Sequence, residues 1–168
     1  TYTYTWNENR QLSSMTWNTG YALFYYDADG IPYAVQNYDA ILDVERTYLY
    51  ITSLQGDVLS IIDASSGATA VTYTYDAWGR LIGKDGTSSD YASIYEYNPL
   101  TYRGYIYDSE TGFYYLQSRY YDPKVGRFLN SDDPMFWGAN GNILSCSLFT
   151  YCNSNPINMA DITGNIAT

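Results

Sequence analysis

Residues Glu110 to Pro134 read ETGFYYLQSRYYDPKVGRFLNSDDP, and their order of rings, charges and turn formers decides the fold. Between Phe113 and Tyr121 large rings occupy both parities. An extended strand would carry Phe113, Tyr115 and Tyr121 on one side and Tyr114, Leu116 and Tyr120 on the other. Such a strand needs contacts on both faces. Turn chemistry bounds it, with Asp108 to Gly112 before it and Asp122, Pro123 and Gly126 after it. Arg127, Phe128 and Leu129 then open another strand, so the expected unit is turn, strand, turn, strand.

The same punctuation recurs outward from this block. An aspartate followed by a glycine three or four residues later stands at Asp27-Gly30, Asp63-Gly67, Asp76-Gly79, Asp108-Gly112, Asp122-Gly126 and Asp161-Gly164. The aspartate accepts backbone N–H bonds from residues ahead of it, and the glycine supplies the positive φ that returns the chain. Strand-forming runs lie between the turns: Tyr21 to Tyr26, Ile31 to Gln36, Thr47 to Thr52, Val58 to Ile62, Ala70 to Tyr75 and Leu81 to Lys84. No convincing amphipathic helix interrupts them. The spacing is too irregular for a fixed-period solenoid, yet it predicts an extended sheet built hairpin by hairpin.

The residues quoted above are similar to the signature of the Rhs repeat-associated core domain of YD-repeat proteins. That signature runs through Glu-Thr-Gly, paired tyrosines, Arg-Tyr-Tyr, Asp-Pro, Gly-Arg-Phe and a late Asp-Pro. Tyr26-Asp27-Ala28-Asp29-Gly30 and Tyr75-Asp76-Ala77-Trp78-Gly79-Arg80 resemble the YD repeat itself, and Asn155-Pro156-Ile157-Asn158 followed by Asp161 resembles the family's end of core. The resemblance covers nearly the whole chain. It implies an all-β fold, with antiparallel hairpins in a curved, twisted sheet that forms part of a β-cocoon shell. Residues 1–134 would be YD-repeat hairpins and residues 135–168 a loop-rich end of core, the whole forming a single domain. It further implies a bacterial protein, secreted or at the cell surface, whose shell encloses and presents a C-terminal toxin.

Composition bounds the chemistry. A length of 168 residues with 46% hydrophobic content suffices for a core, but 22 of those residues are tyrosines whose hydroxyls need partners. A net charge of −10 disfavours phosphate backbones, so nucleic acid is not an expected partner. Histidine is absent, which removes the usual general base, the commonest metal ligand and every Ser-His or Cys-His pair. Asp27-Ala28-Asp29-Gly30 has the opening of a calcium loop, yet Ile31 and Tyr38 stand at its fifth and twelfth positions, where ligands belong. An ordinary turn is the better reading, and no metal or cofactor is expected. Cys146 and Cys152 are too distant to bridge within one strand, although a hairpin between them would allow pairing.

Three sets of residues carry candidate chemistry. Rhs cores end in paired Asp-Pro-x-Gly motifs whose aspartates resemble an aspartyl protease dyad that frees the toxin; Asp161-Ile162-Thr163-Gly164 resembles the first motif with isoleucine in place of proline. Asp161 is therefore the one catalytic candidate. Asp122, Asp132 and Asp133 are available as a second carboxylate, and a capped turn is the alternative reading. Arg103, Arg119 and Arg127 sit among tyrosines and aspartates, where a planar fork stacks on rings and pairs carboxylates; an anion or sugar subsite is the functional alternative. Trp6, Trp17, Trp78, Trp137 and the tyrosines offer platforms for glycans, against cross-strand packing as the alternative.

Partners follow from the same residues. Tyr2, Tyr4 and Trp6 alternate with threonines from residue 1 onward, as though the chain begins inside a strand of a longer protein. That edge is expected to pair with neighbouring shell strands or with another copy. No apolar run is long enough to insert in a membrane. Residues 84–90 read as an exposed loop open to proteolysis, and a short helical turn is expected near Leu144 to Phe149.

Overall fold

The computed structural model describes residues 1–86, 89–132, 147–161 and 164–165. Trp137, Cys146, Asp133 and the first half of the turn expected over Leu144 to Phe149 lie outside the described residues. The fold is all-β and antiparallel, in two compact units: residues 1–74 with 83–104, and residues 75–82 with 105–168.

The first sheet holds β1 (Thr3–Trp6), β2 (Leu12–Trp17), β3 (Gly20–Tyr26), β4 (Pro32–Asp39), β5 (Val44–Thr52), β6 (Val58–Asp63), β7 (Thr69–Tyr75) and β8 (Leu81–Gly86). Each strand pairs with the next in sequence, so every connection is a hairpin. Aspartate turns make three of them. Asp27 Oδ1 accepts the N–H of Asp29 and Ile31, while the Gly30 N–H returns to the Asp27 carbonyl. Asp76 repeats this with Trp78, Arg80 and Gly79. Asp63 spans one residue more: the Gly67 N–H reaches its carbonyl at 2.8 Å. The Asp27 carboxylate thus caps its own turn.

The core face of this sheet is Leu12, Met15, Phe24, Val35, Tyr48, Tyr50, Val58, Ile61, Val71 and Tyr73, all buried. Residues 89–104 pack on it through a short helix α1 (Ala92–Tyr97) and buried Ile94, Leu100 and Tyr102. Six residues are too few to show a helical period in the sequence. At the centre of this layer the Tyr50 hydroxyl donates to Asn98 Oδ1 at 2.6 Å, and Asn98 Nδ2 donates to the Tyr73 hydroxyl at 3.0 Å. Burial holds both phenols well above their ordinary pKa, so both stay neutral. The expected exposed loop over 84–90 is shorter than read, because β8 continues to Gly86.

The second sheet is β9 (Ile106–Asp108), β10 (Phe113–Leu116), β11 (Arg119–Asp122) and β12 (Arg127–Phe128), again paired in sequence order. Here the sequence reading needs correction: Phe113 to Tyr121 is a hairpin and not one strand. The chain reverses at Gln117 and Ser118. Gln117 takes φ +60°, and the Ser118 N–H donates to the Leu116 carbonyl at 2.6 Å. A three-residue turn with positive central φ is rare and carries no glycine or asparagine to announce it. Its consequence is a change of sides. Tyr121 faces inward with Tyr114, Leu116 and Arg119, whereas Tyr120 pairs with Tyr115 on the outer face. Two loop carbonyls receive the inward hydroxyls: Tyr114 donates to Gly79 and Tyr121 to Trp78, at 2.7 and 2.8 Å. Gly126, at φ +68°, lets the ring of Trp78 approach to within 2.8 Å of where a Cβ would stand.

Candidate functional site

The inner face of the second sheet carries one charged centre. Arg119, on β11, is buried with its guanidinium carbon 3.5 Å above the ring of Phe128 on β12. Its Nη2 lies 3.0 Å from Asp132 Oδ2 and 3.3 Å from Asp161 Oδ2. Its other nitrogens serve backbone: Nη1 donates to the Leu148 carbonyl at 3.0 Å and Nε to the Gly164 carbonyl. The Asn165 carbonyl lies 3.4 Å from Nη2 as a further acceptor. Three acceptors thus crowd a nitrogen with two hydrogens, and five in all surround the fork.

Asp161 is fixed from both ends. Its Oδ1 accepts the Asn165 N–H at 3.0 Å, and its carbonyl accepts the hydroxyl of Tyr105 at 2.8 Å. Because that proton is committed, the Tyr151 hydroxyl, 3.2 Å from Tyr105, is the donor between the two rings. Tyr151 itself is buried against Tyr121 and Phe128, at ring separations of 4.1 and 5.7 Å. Gly164 takes φ +75° and would collide with the Leu116 carbonyl if it carried a side chain. The segment thus closes on the Gln117 turn, where Ser118 Oγ donates to the Gly164 carbonyl at 2.8 Å.

Burial raises the Asp161 carboxyl above the usual carboxylate range, opposed first by the Arg119 charge. Burial likewise lowers Arg119, while its two carboxylates act to restore it. Burial thus disfavours the charged form of both groups, and their mutual contact opposes it, helped at Asp161 by the backbone N–H groups of Asn165 and Gly164 and at Arg119 by Asp132.

Of the carboxylates weighed as partners for Asp161, the fold brings Asp132 to the same guanidinium nitrogen. Asp122 is spent in its own turn, where Oδ1 accepts the Lys124 N–H at 2.8 Å. Asp133 lies outside the described residues. Among the three arginines, Arg103 is also buried in a carboxylate pair, 3.2 Å from Asp57, but Arg127 is exposed on β12. Cys152 is buried, and its relation to Cys146 lies outside the described residues. Sequence reasoning did not find the carbonyls of Leu148 and Gly164, since a backbone acceptor leaves no residue signature. One signal was present: no lysine or arginine occurs after Arg127, so carboxylates in that stretch must find a cation elsewhere in the chain.

The chain as a whole is similar to known proteins. Residues 53–93 match the model described as RHS Repeat. The chain is 34% identical over 181 aligned positions to the tRNA3(Ser)-specific nuclease WapA of Bacillus spizizenii, covering 96% of this chain and 7% of that one. It is 41% identical over 120 positions to the tRNA(Glu)-specific nuclease WapA of Bacillus subtilis subsp. natto, covering 71% and 5%. A solved structure of the Photorhabdus luminescens Tc holotoxin pore superposes with a TM-score of 0.63 at 18% identity, over 99% of this chain and 10% of that one. At that identity the likeness is one of fold. The chain spans a tenth or less of the length of these proteins.

Proposed function

This chain belongs to the Rhs/YD-repeat family, and from that premise we propose that it is a non-enzymatic wall segment of a larger toxin protein, enclosing and presenting a toxin carried further along that protein. The observation that supports this most is the strand order. Eight strands pair strictly with their sequence neighbours, so the sheet grows along one direction and both of its ends are strands. A ribbon of that kind suits a continuous wall. Its exposed tyrosines, Tyr25 and Tyr33 among them, suit contact with an enclosed chain, because tyrosine presents a ring face for apolar contact and a hydroxyl for hydrogen bonds without demanding one complement. The relatives named as tRNA nucleases share only this short stretch with the chain, which fits a division between a common wall and a separate toxic activity.

The test is protease protection in the full-length parent. The toxin region should survive a protease dose that digests the same region expressed alone. Equal digestion of both would sink the enclosure reading. Secretion or display at a bacterial surface belongs to the same proposal.

A second reading rests on Asp132 and Asp161. Two buried carboxylates at one nitrogen are the raw material of an acid-base pair, and a burial-raised Asp161 would suit the acid. Autocleavage by that pair would shorten a chain that continues past residue 168. The interposed guanidinium favours the structural role: it neutralises the carboxylates rather than leaving them one shared proton.

A further inference from the structure

Tyr21 on β3 and Tyr38 on β4 stand directly opposite each other, with their rings stacked at a centroid separation of 5.4 Å and an interplanar angle of 27°. Strand alternation puts both on the face of the first sheet turned away from the core: their neighbours Ala22 and Asn37 are buried, and the two tyrosines are half-exposed. Each hydroxyl has its own carboxylate. Tyr21 donates to Glu45 Oε2 at 2.9 Å, and Tyr38 donates to Asp43 Oδ1 at 3.0 Å. Glu45 is fixed through its other oxygen as well, which accepts Gln36 Nε2.

Two other outward tyrosine pairs differ in where the hydroxyl proton points. Tyr115 and Tyr120 lie 5.2 Å apart, but Tyr115 donates to the Gln117 carbonyl at 2.6 Å. Tyr25 and Tyr33 lie 6.4 Å apart, and Tyr25 donates to the Gln36 amide oxygen at 3.2 Å. Neither acceptor is a base at neutral pH. A carboxylate is one, and it takes the phenolic proton as the ring loses an electron, because oxidation makes the hydroxyl far more acidic. Before oxidation the same carboxylates hold both phenols above their ordinary pKa, through the Glu45 hydrogen bond at Tyr21 and the Asp43 hydrogen bond at Tyr38, so the pair starts protonated.

We propose that Tyr21 and Tyr38 are an oxidative cross-linking site, where a peroxide-driven one-electron oxidant joins the two rings as dityrosine. Each phenol gives one electron to the oxidant and its hydroxyl proton to its own carboxylate. The two phenoxyl rings then couple through a new carbon–carbon bond between positions ortho to their oxygens. The hydrogens at those positions leave as protons while the oxygens regain protons, which restores both aromatic rings. Two tyrosines and one hydrogen peroxide thus give one dityrosine and two waters. The ring edges meet by side-chain rotation, which is fast for exposed residues. The bond closes the end of the β3–β4 hairpin opposite the Asp27 turn. It constrains the unfolded chain as a disulfide would, in a part of the sequence that has no cysteine before Cys146. If the chain is a wall segment, the cross-link hardens that wall; this purpose rests on the wall reading, whereas the site itself does not.

Oxidation of the 168-residue chain by a haem peroxidase with limiting hydrogen peroxide tests the site. An equal mixture of unlabelled and isotope-labelled chain is used, and the product is cleaved at Asp27 and Asp29, which separate the two tyrosines. The main cross-linked peptide should join Tyr21 to Tyr38 and carry one label state, as a bond within a single chain requires. Glu45→Gln and Asp43→Asn keep a hydrogen-bond acceptor and remove the base. Each should slow dityrosine fluorescence on the order of tenfold, less than a positioned base gives in a closed site, because water competes at this exposed one. Both positions are exposed, and asparagine tolerates the φ of +51° at position 43, so these variants keep the fold. Tyr38→Phe should abolish the peptide outright. A yield no greater than that of the Tyr115 and Tyr120 pair, a main product of mixed label, or unchanged rates in both amide variants overturns the proposal. Failure of the cross-link leaves the wall reading standing, and failure of toxin protection leaves the cross-link standing.

Discussion

Asp63 and Asp161 both open an aspartate-glycine turn, both are buried, and both lie near an arginine, yet their carboxyls are pushed in opposite directions. At Asp63 the Ser65 hydroxyl donates at 2.6 Å, and the backbone N–H groups of Ser65 and Ser66 at 2.8 and 3.1 Å. These local donors hold its pKa below the ordinary value, led by the Ser65 hydroxyl, and Arg46 at 3.9 Å adds little. At Asp161 the described local donors are the backbone N–H groups of Asn165 and Gly164, with no hydroxyl among them, and the nearby cation is shared with Asp132. Burial then dominates and the pKa rises. A buried carboxylate is therefore a turn cap where its own loop supplies the hydrogen bonds, and a strain on the fold where it must borrow a cation from another strand.

The largest test of this contrast is Arg119→Leu. It leaves two buried carboxylates and the Leu148 and Gly164 carbonyls without their donor, and should cost the second unit about 3–5 kcal/mol in urea unfolding. The neutral counterpart in the first unit is Asn98, which joins Tyr50, Tyr73 and the Leu100 carbonyl. Asn98→Ala should cost about 3 kcal/mol there by leaving buried hydroxyls unmatched. A smaller cost for Arg119→Leu than for Asn98→Ala would show that the charged centre contributes less than a neutral one.

Two milder substitutions sharpen the sign. Ser65→Ala removes the leading cause of the lowered Asp63 pKa and should cost about 1 kcal/mol at neutral pH. A lowered pKa contributes stability above the unfolded value that is lost as the pH falls through the folded one, so this variant should also lose less on acidification. Asp161→Asn keeps an acceptor for Asn165 and removes a carboxylate whose pKa burial raises. It should change stability by less than about 1 kcal/mol at neutral pH, and the second unit should no longer weaken as the pH rises. A cost for Asp161→Asn approaching that of Arg119→Leu would mean that the Asp161 carboxylate is essential to holding Arg119 in place.

Much of the first unit was legible in sequence because alternation and punctuation agree there. Asp27 and Asp63 mark turns with glycine at the return, and β4 through β6 lie between them. The second unit was harder to read. Gln117 reverses the chain without a turn former, which moved Tyr120 and Tyr121 to the faces opposite those expected. The candidate site was half visible: Asp161, Asp132 and Arg119 stood out by type, and the Asp-Gly spacing at 161 looked like every other turn. What distinguishes it is burial beside an arginine more than forty residues earlier, and no local pattern encodes that distance. The short helix over Ala92–Tyr97 was hidden for a related reason, since its place is set by burial of Ile94 rather than by its own periodicity.

The claim that Asp161 is an ion-paired turn residue of a wall and not a reaction centre is tested most directly by intact mass. A chain continuing past residue 168 in its parent, followed over hours beside its Asp161→Asn variant, should keep full mass in both. Shortening of the parent chain alone, abolished by Asp161→Asn, would contradict the account.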